Sequence, residues 1–357
     1  MTEFPTDPRG RELILMIERA KYERWLSNEV ADILRRAFDE VIDTILSPAF
    51  RTLSQFEQAR KLQLFRELDH QLRTHYIGAR NTVIAEMRGY AQLEGEVAAA
   101  QIRSMLTSAT SERVAAGVGA MLTRQAVISI ATLPIEGLNI GEWFEAQAAG
   151  MSRETRRLIQ NGLLQGKSIP EMVKSIMPAR ASTEPALYRR ARIEAMSITR
   201  TTVNAVQNHA ALESYRAAGN DVSDSFRIVA VRDARTTPIC RKLDGLVQRN
   251  DNPKAMRPPF HFRCRSGVVP IVRAEFLPRA EQMAPLTFGS YADWLRGQSQ
   301  GQQDAILGPT RASWWRDGRM SLADAVDDDN RVLTLAQLRK RLPIDDTPRV
   351  PAFSGAL

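Results

Sequence analysis

Ser225-Phe-Arg-Ile-Val-Ala-Val-Arg-Asp233-Ala-Arg235-Thr-Thr-Pro-Ile-Cys240 marks the point where the chain changes its hydrophobic period. Phe226, Ile228 and Val231 lie in a short β-favouring run, 225–231. A second such run, 267–272, holds Val268, Val269, Ile271 and Val272 around Pro270. A proline there confines the strand to a sheet edge or a bulge, because it cannot donate to a ladder. Upstream the period is helical. Leu26, Val30, Leu34, Phe38, Val41 and Ile45 recur every three or four residues, the spacing of one helix face. Ser47-Pro48 breaks that run. A second follows with Leu62, Phe65, Leu68, Leu72, Tyr76, Val83, Met87, Tyr90, Leu93 and Val97.

The expected fold is therefore α+β and predominantly α-helical. An elongated N-terminal helical hairpin or bundle leads into a helical middle, and a small β-containing module lies toward the C-terminus. Residues 1–150 read as an elongated helical assembly domain and 151–219 as a basic helical segment. Residues 220–275 form the β-containing module, and 276–357 a C-terminal helical segment with an extended tail. Glycines 137, 141 and 150 make 134–150 look like a connector, with Ser152 as the cap of the next helix. Ser168-Ile-Pro-Glu171 and Thr334-Leu-Ala-Gln337 are capping-box patterns. The run 187–218 reads as one helix, ended by Gly219-Asn220.

The charge is unevenly placed. The 357 residues carry a formal +8, yet 151–280 holds 23 Lys+Arg against 11 Asp+Glu, while both flanks are slightly acidic. Of those 23, 19 are arginine. A localised basic excess is the electrostatic footprint of a polyanion partner, nucleic acid first and an acidic protein second. Candidate phosphate contacts are Arg189, Arg190, Arg192 and Arg200 on the 187–218 helix, and Arg241, Lys242, Arg263 and Arg265 further on. With 43% hydrophobic and 25% charged residues, the composition excludes a disordered, collagen-like or membrane-spanning bulk. Its least polar stretch, 115–133, is broken by Arg124 and Gln125 and makes a poor membrane span. Two cysteines exclude a disulfide-dense scaffold. The first ten residues lack the apolar run of a signal peptide, so the expected setting during synthesis is a reducing cytoplasm.

Chemistry-bearing residues crowd between Asp233 and Arg265. Cys240 and Cys264 stand 24 positions apart, and His261 precedes Cys264 by three. This spacing admits a metal site on Cys240, His261 and Cys264, zinc by ligand type, with Asp233 or Asp244 as a fourth ligand. It equally admits a Cys240–Cys264 disulfide, which a reducing compartment disfavours, or two buried thiols beside a hydrogen-bonded histidine.

The same block resembles the signature of the phage Mu F-like minor head proteins, the phage head morphogenesis family. The matching residues are Asp233, Arg235, Cys240, Leu243, Gly245, Pro258, Pro259, His261, Cys264 and Arg265. Upstream, Arg200, Thr201, Asn204, Asn208, Tyr215 and Gly219 are similar to that family's helix. Downstream, Tyr291-Ala-Asp-Trp-Leu295, Leu307-Gly-Pro-Thr-Arg311 and Leu333-Thr-Leu-Ala-Gln-Leu338 resemble the Mu-like members. The likeness covers about residues 150–340. Thr202 stands where the family often has Glu, and Thr237 and Ser266 where the fuller pattern has Cys. What remains, Asp233, Arg235, Cys240, Gly245, His261 and Cys264, reads as the structural skeleton of the module.

The resemblance implies a minor capsid protein, several copies per virion, attached to the portal inside the head. Its expected partners are the portal protein, other capsid proteins and the packaged double-stranded DNA. Its expected work is head morphogenesis and DNA packaging or ejection, with the host cytoplasm as the place of assembly. No catalytic residues stand out, so the chain reads as a non-enzyme. The alternatives are an internal protein ejected with the genome and an ADP-ribosyltransferase-like enzyme. For the latter, Ser182-Thr-Glu184 is a faint echo that helix capping also explains.

Overall fold

The computed structural model describes residues 8–52, 58–106, 134–177, 187–219, 222–277, 290–329 and 331–342. The stretch 115–133, Ser182-Thr-Glu184, Asn220 and the tail from Pro343 lie outside them. Among the described residues the protein is mostly α-helical, with one small antiparallel sheet.

Helix α1 (Pro8–Leu46) turns through a four-residue helix, α2 (Pro48–Arg51), into α3 (Gln58–Met105). Ser47 caps α2 by accepting from Phe50 N, and Pro48 takes the first-turn position where its missing N–H costs nothing. α1 and α3 run antiparallel, as cross-contacts between early and late residues require. Arg19 pairs with Glu94, Tyr22 stacks on Tyr90 at 4.6 Å, and His75 meets Glu40 at 2.9 Å. The expected hairpin is present. Its apolar stripe is not quite the expected one: Leu62 and Leu93 are about half exposed, while Leu64, Ala91 and the ion-paired Glu94 are buried. A 48-residue helix with 3.6 residues per turn drifts against any strict repeat, so the buried face migrates along it.

Two further helices complete a bundle. α4 (Ile140–Leu164) lies antiparallel to α3, with Ser152 donating to Asp69 and Arg156 over the Phe65 ring. α6 (Leu187–Ala217) lies antiparallel to α4, Gln147 donating to the Ala191 carbonyl, and antiparallel to α1, Arg200 pairing with Glu23. The short α5 (Ile169–Ile176) joins them, opened by the expected Ser168–Glu171 capping box. One hydrophobic core, from Leu26 and Phe38 through Leu72 and Met87 to Phe144, Ile159, Ile198 and Val206, binds all of these helices. Helix α4 passes without a break through residue 150. Its true start is Asn139, which caps Glu142 N while Glu142 caps Asn139 N. Residues 140–150 are therefore helix rather than connector, and Ser152 is an interior residue whose side chain ties α4 to α3.

The sheet has the order β2-β1-β3, with β1 (Ser225–Val229) central, β2 (Val247–Arg249) and β3 (Gly267–Ile271) at the edges. Phe226 stands opposite Gln248 on one side and Pro270 on the other. Pro270 sits on an edge strand, as its missing donor demands. A second core joins the sheet (Phe226, Ile228, Val268) to the ends of α3 (Ile102) and α6 (Leu212, Tyr215). Helix α7 (Pro238–Leu243) fills the β1–β2 connection. Among the described residues beyond the sheet lie four short α-helices, α8 (Tyr291–Arg296), α9 (Gln300–Leu307), α10 (Pro309–Arg316) and α11 (Leu335–Arg341). They share a third core around Tyr291, Trp314 and Leu338. The Thr334–Gln337 capping box opens α11. No helix among the described residues is long and apolar enough to cross a membrane.

Candidate metal centre and basic face

The module hangs on one face of α6. Thr201 accepts from Arg263 N at 2.9 Å; Asn204 and Asn208 both donate to the Ser266 carbonyl, at 3.0 and 3.2 Å; Tyr215 donates to the Val268 carbonyl at 3.1 Å. The helical period puts these four on the same side, and each satisfies backbone of the 263–268 segment that a short edge strand leaves unpaired. Arg263 takes φ +61°, a left-handed conformation uncommon for a side chain, held by Thr201 and by its own Nε on Ser197 Oγ at 3.1 Å.

The loop after β1 is knotted about Asp233. Its carboxylate accepts from Arg235 N and Thr236 Oγ1 and receives both arms of Arg265 at 2.7 Å. The Arg265 guanidinium holds this carboxyl down at about 2. Thr237 then begins α7, with Pro238 in the first turn, and Cys240 lies one turn in. Gly245, at φ +86°, turns the chain so that its N–H reaches the Ile228 carbonyl at 2.8 Å. Asp244 accepts from the N–H of Ala230 at 2.6 Å and of Tyr291 at 2.5 Å. It thereby locks the C-terminal helices to the module. Burial pushes its carboxyl up, against the two amides that hold it down.

Cys240, His261 and Cys264 come together. Their ligand atoms lie within 4.8 Å of one another, and both cysteines are buried. Cys240 Sγ is 3.1 Å from His261 Nε2 and 3.8 Å from Cys264 Sγ. The Thr237 hydroxyl stands 2.8 Å from the same Nε2. Neither Asp233 nor Asp244 joins the cluster; their oxygens are committed as described. The thiols are free rather than bridged. The Cys264 thiol, donating to Cys240, pulls the Cys240 thiol down to about 6, and Cys264 in turn keeps its own proton. The arrangement is a Cys–His–Cys cluster of the kind that suits zinc.

The eight expected phosphate contacts fall into two groups. Arg241 donates to the Ile306 carbonyl and lies over the Tyr291 ring at 5.4 Å; Lys242 donates to the Asp327 carbonyl at 2.9 Å. Arg263, Arg265 and Arg200 are engaged by Ser197, Asp233 and Glu23. These five donors stitch the chain to itself. Arg190, paired with the neighbouring Glu194, and Arg192 are exposed on α6, and Arg189 is half-buried there. Sequence reasoning missed the matching arginines of α4. Arg153, Arg156 and Arg157 are exposed opposite its buried Met151, Thr155 and Ile159. Glu154 feels both Arg157 and Arg190, so the arginine faces of α4 and α6 adjoin. The available signal was the Arg-x-x-Arg-Arg spacing.

Residues 153–269 match the family model of the Phage Mu protein F like protein. That segment contains the α4 and α6 arginine face, the α6 anchor residues and the Cys–His–Cys cluster. No curated protein and no solved structure matches the chain.

Proposed function

We propose that this protein, whose residues 153–269 match the family model of the Phage Mu protein F like protein, is a minor component of a phage head, bound to the portal on the inner side of the shell. In this reading it assembles in the host cytoplasm, enters the virion in several copies, and serves DNA packaging or ejection through contacts rather than catalysis. The helical bundle and the C-terminal helices face protein partners, the portal and other head proteins. The arginine face of α4 and α6 faces the packaged double-stranded DNA. The module takes zinc as its cofactor at Cys240, His261 and Cys264.

The observation that carries the reading is the coincidence of the family segment with the basic excess, 23 cationic against 11 acidic residues over 151–280, together with an exposed arginine face on adjoining helices. Arg157–Glu154 and Arg190–Glu194 are exposed pairs, worth little in water and readily exchanged for phosphate. Contacts of this type supply affinity without base information.

The test is the affinity of the full chain for duplex DNA against salt. Binding that weakens steeply supports the reading, each neutralised phosphate adding a slope of about −0.9 in the logarithm. The Arg190→Ala, Arg192→Ala pair then flattens the slope by about two such units. No binding at low salt, or a flat response, rejects the DNA contact.

A further inference from the structure

The whole chain offers two cysteines and four histidines. Both cysteines and His261 meet at one point. The remaining histidines are outside this cluster: His70 and His75 on α3, the latter against Glu40, and His209 on α6. Cysteine and histidine ligands that this chain can bring to the site are thus limited to three.

Four features prepare those three for a cation. His261 Nδ1 donates to the Phe262 carbonyl at 2.8 Å, which fixes the tautomer and leaves Nε2 unprotonated, an acceptor for Thr237 and Cys240 whose lone pair a cation can take instead. The sulfurs stand 3.8 Å apart. Tetrahedral zinc with bonds of about 2.3 Å spaces two thiolates by roughly 3.8 Å, whereas a disulfide needs about 2.05 Å. Ser266 is 1% exposed and its hydroxyl is turned to the Cys240 sulfur, where it favours a thiolate such as a metal-bound Cys240 presents. Finally, Thr237 Oγ1, 2.8 Å from Nε2, places a neutral hydroxyl at the edge of the cluster where a fourth ligand belongs.

We infer that the cluster binds one zinc ion through Cys240 Sγ, His261 Nε2 and Cys264 Sγ and keeps its fourth coordination position for an exchangeable oxygen ligand, a water molecule hydrogen-bonded by Thr237. This rests on the zinc reading given above and adds the coordination to it. Two carboxylates nearby do not take that position, because Asp233 is held by Arg265 and Asp244 by two backbone amides. Three protein ligands with an oxygen in the fourth place is the coordination of zinc sites that accept small anions. The ion also ties α7 to the 261–264 turn, which meet through Thr237, Cys240, His261 and Cys264.

The test uses the full chain. Purified protein is assayed for zinc, then the zinc is exchanged for Co2+ and azide is added. The inference expects one metal per chain, thiolate-to-cobalt charge-transfer absorption, and visible bands that shift on azide addition. Thr237→Cys should retain the metal and lose the azide response, because a third thiolate closes the open place. Cys264→Ser should lose the metal; circular dichroism of that variant distinguishes ligand loss from unfolding, and the Thr237→Cys comparison stands if it does not fold. Absence of bound metal overturns both the zinc reading and the open position. A bound cobalt whose spectrum ignores azide overturns the open position alone and leaves the zinc in place.

Discussion

Arg265 clasps Asp233 through two parallel bonds, Nη1 to Oδ2 and Nη2 to Oδ1, both 2.7 Å. The pair spans 32 residues and joins the loop after β1 to the turn that carries Cys264. Its two-pronged form gives direction as well as charge, which a lysine in the same place would not. Tyr291 adds a third element by donating its hydroxyl to the Asp233 carbonyl at 2.7 Å.

Arg265→Ala should therefore cost about 1 kcal/mol at neutral pH, the upper end for a pair that is a third exposed and screened by water. The loss is pH-dependent with a definite sign. Asp233 ionises at about 2 in the folded chain and near the usual ~3.9 when unfolded, so its contribution is present above pH ~4 and fades as pH falls toward 2. Urea midpoints of wild type and variant at pH 7 should differ, and those at pH 2 should converge. An equal gap at both values would place the effect elsewhere.

Asp244→Ala should be more harmful, by about 2–3 kcal/mol, since it strips the acceptor from two main-chain N–H groups at once. Asp244→Asn keeps one acceptor oxygen and should recover part of the loss. Equilibrium unfolding of the three proteins orders them wild type, Asn, Ala.

Asn204 and Asn208 share one acceptor, the Ser266 carbonyl. Either alone should be dispensable at about 1 kcal/mol when changed to Ala, because the other still satisfies the oxygen. The double variant should lose more than the sum of the two, as coupled partners do. Additive losses would show that the two amides act independently.

His209, on α6, has its imidazole pushed down, chiefly by burial. The unfolded chain thus takes up a proton before the folded one does, and stability should decline as pH falls below about 6.5. His209→Gln should remove that part of the decline in a pH series of thermal midpoints.

Long elements were legible because their periodicity repeats many times. The α1–α3 hairpin and the α6 helix follow from spacing, and the edge position of Pro270 is one of the two, edge or bulge, that its missing N–H allows. The start of α4 was not, because Gly141 and Gly150 look like punctuation, while the Asn139–Glu142 capping box that outweighs them was overlooked. β2 is three residues with no period to detect. The meeting of Cys240, His261 and Cys264 was foreshadowed by their spacing, whereas the duty of Asp244 is set by contact with Tyr291, 47 positions away. Charge counting had the same blind spot. It assigns Arg241, Lys242, Arg263 and Arg265 a positive sign but cannot say that carbonyls, hydroxyls and Asp233 already occupy their donors.

An asymmetric reconstruction of the phage particle that carries this chain tests the central claim most directly. The account predicts density for the α1–α3–α4–α6 bundle inside the shell at the portal vertex, with Arg153, Arg157, Arg190 and Arg192 turned toward the genome. Density for the same bundle on the outer surface, beyond reach of the DNA, would contradict it.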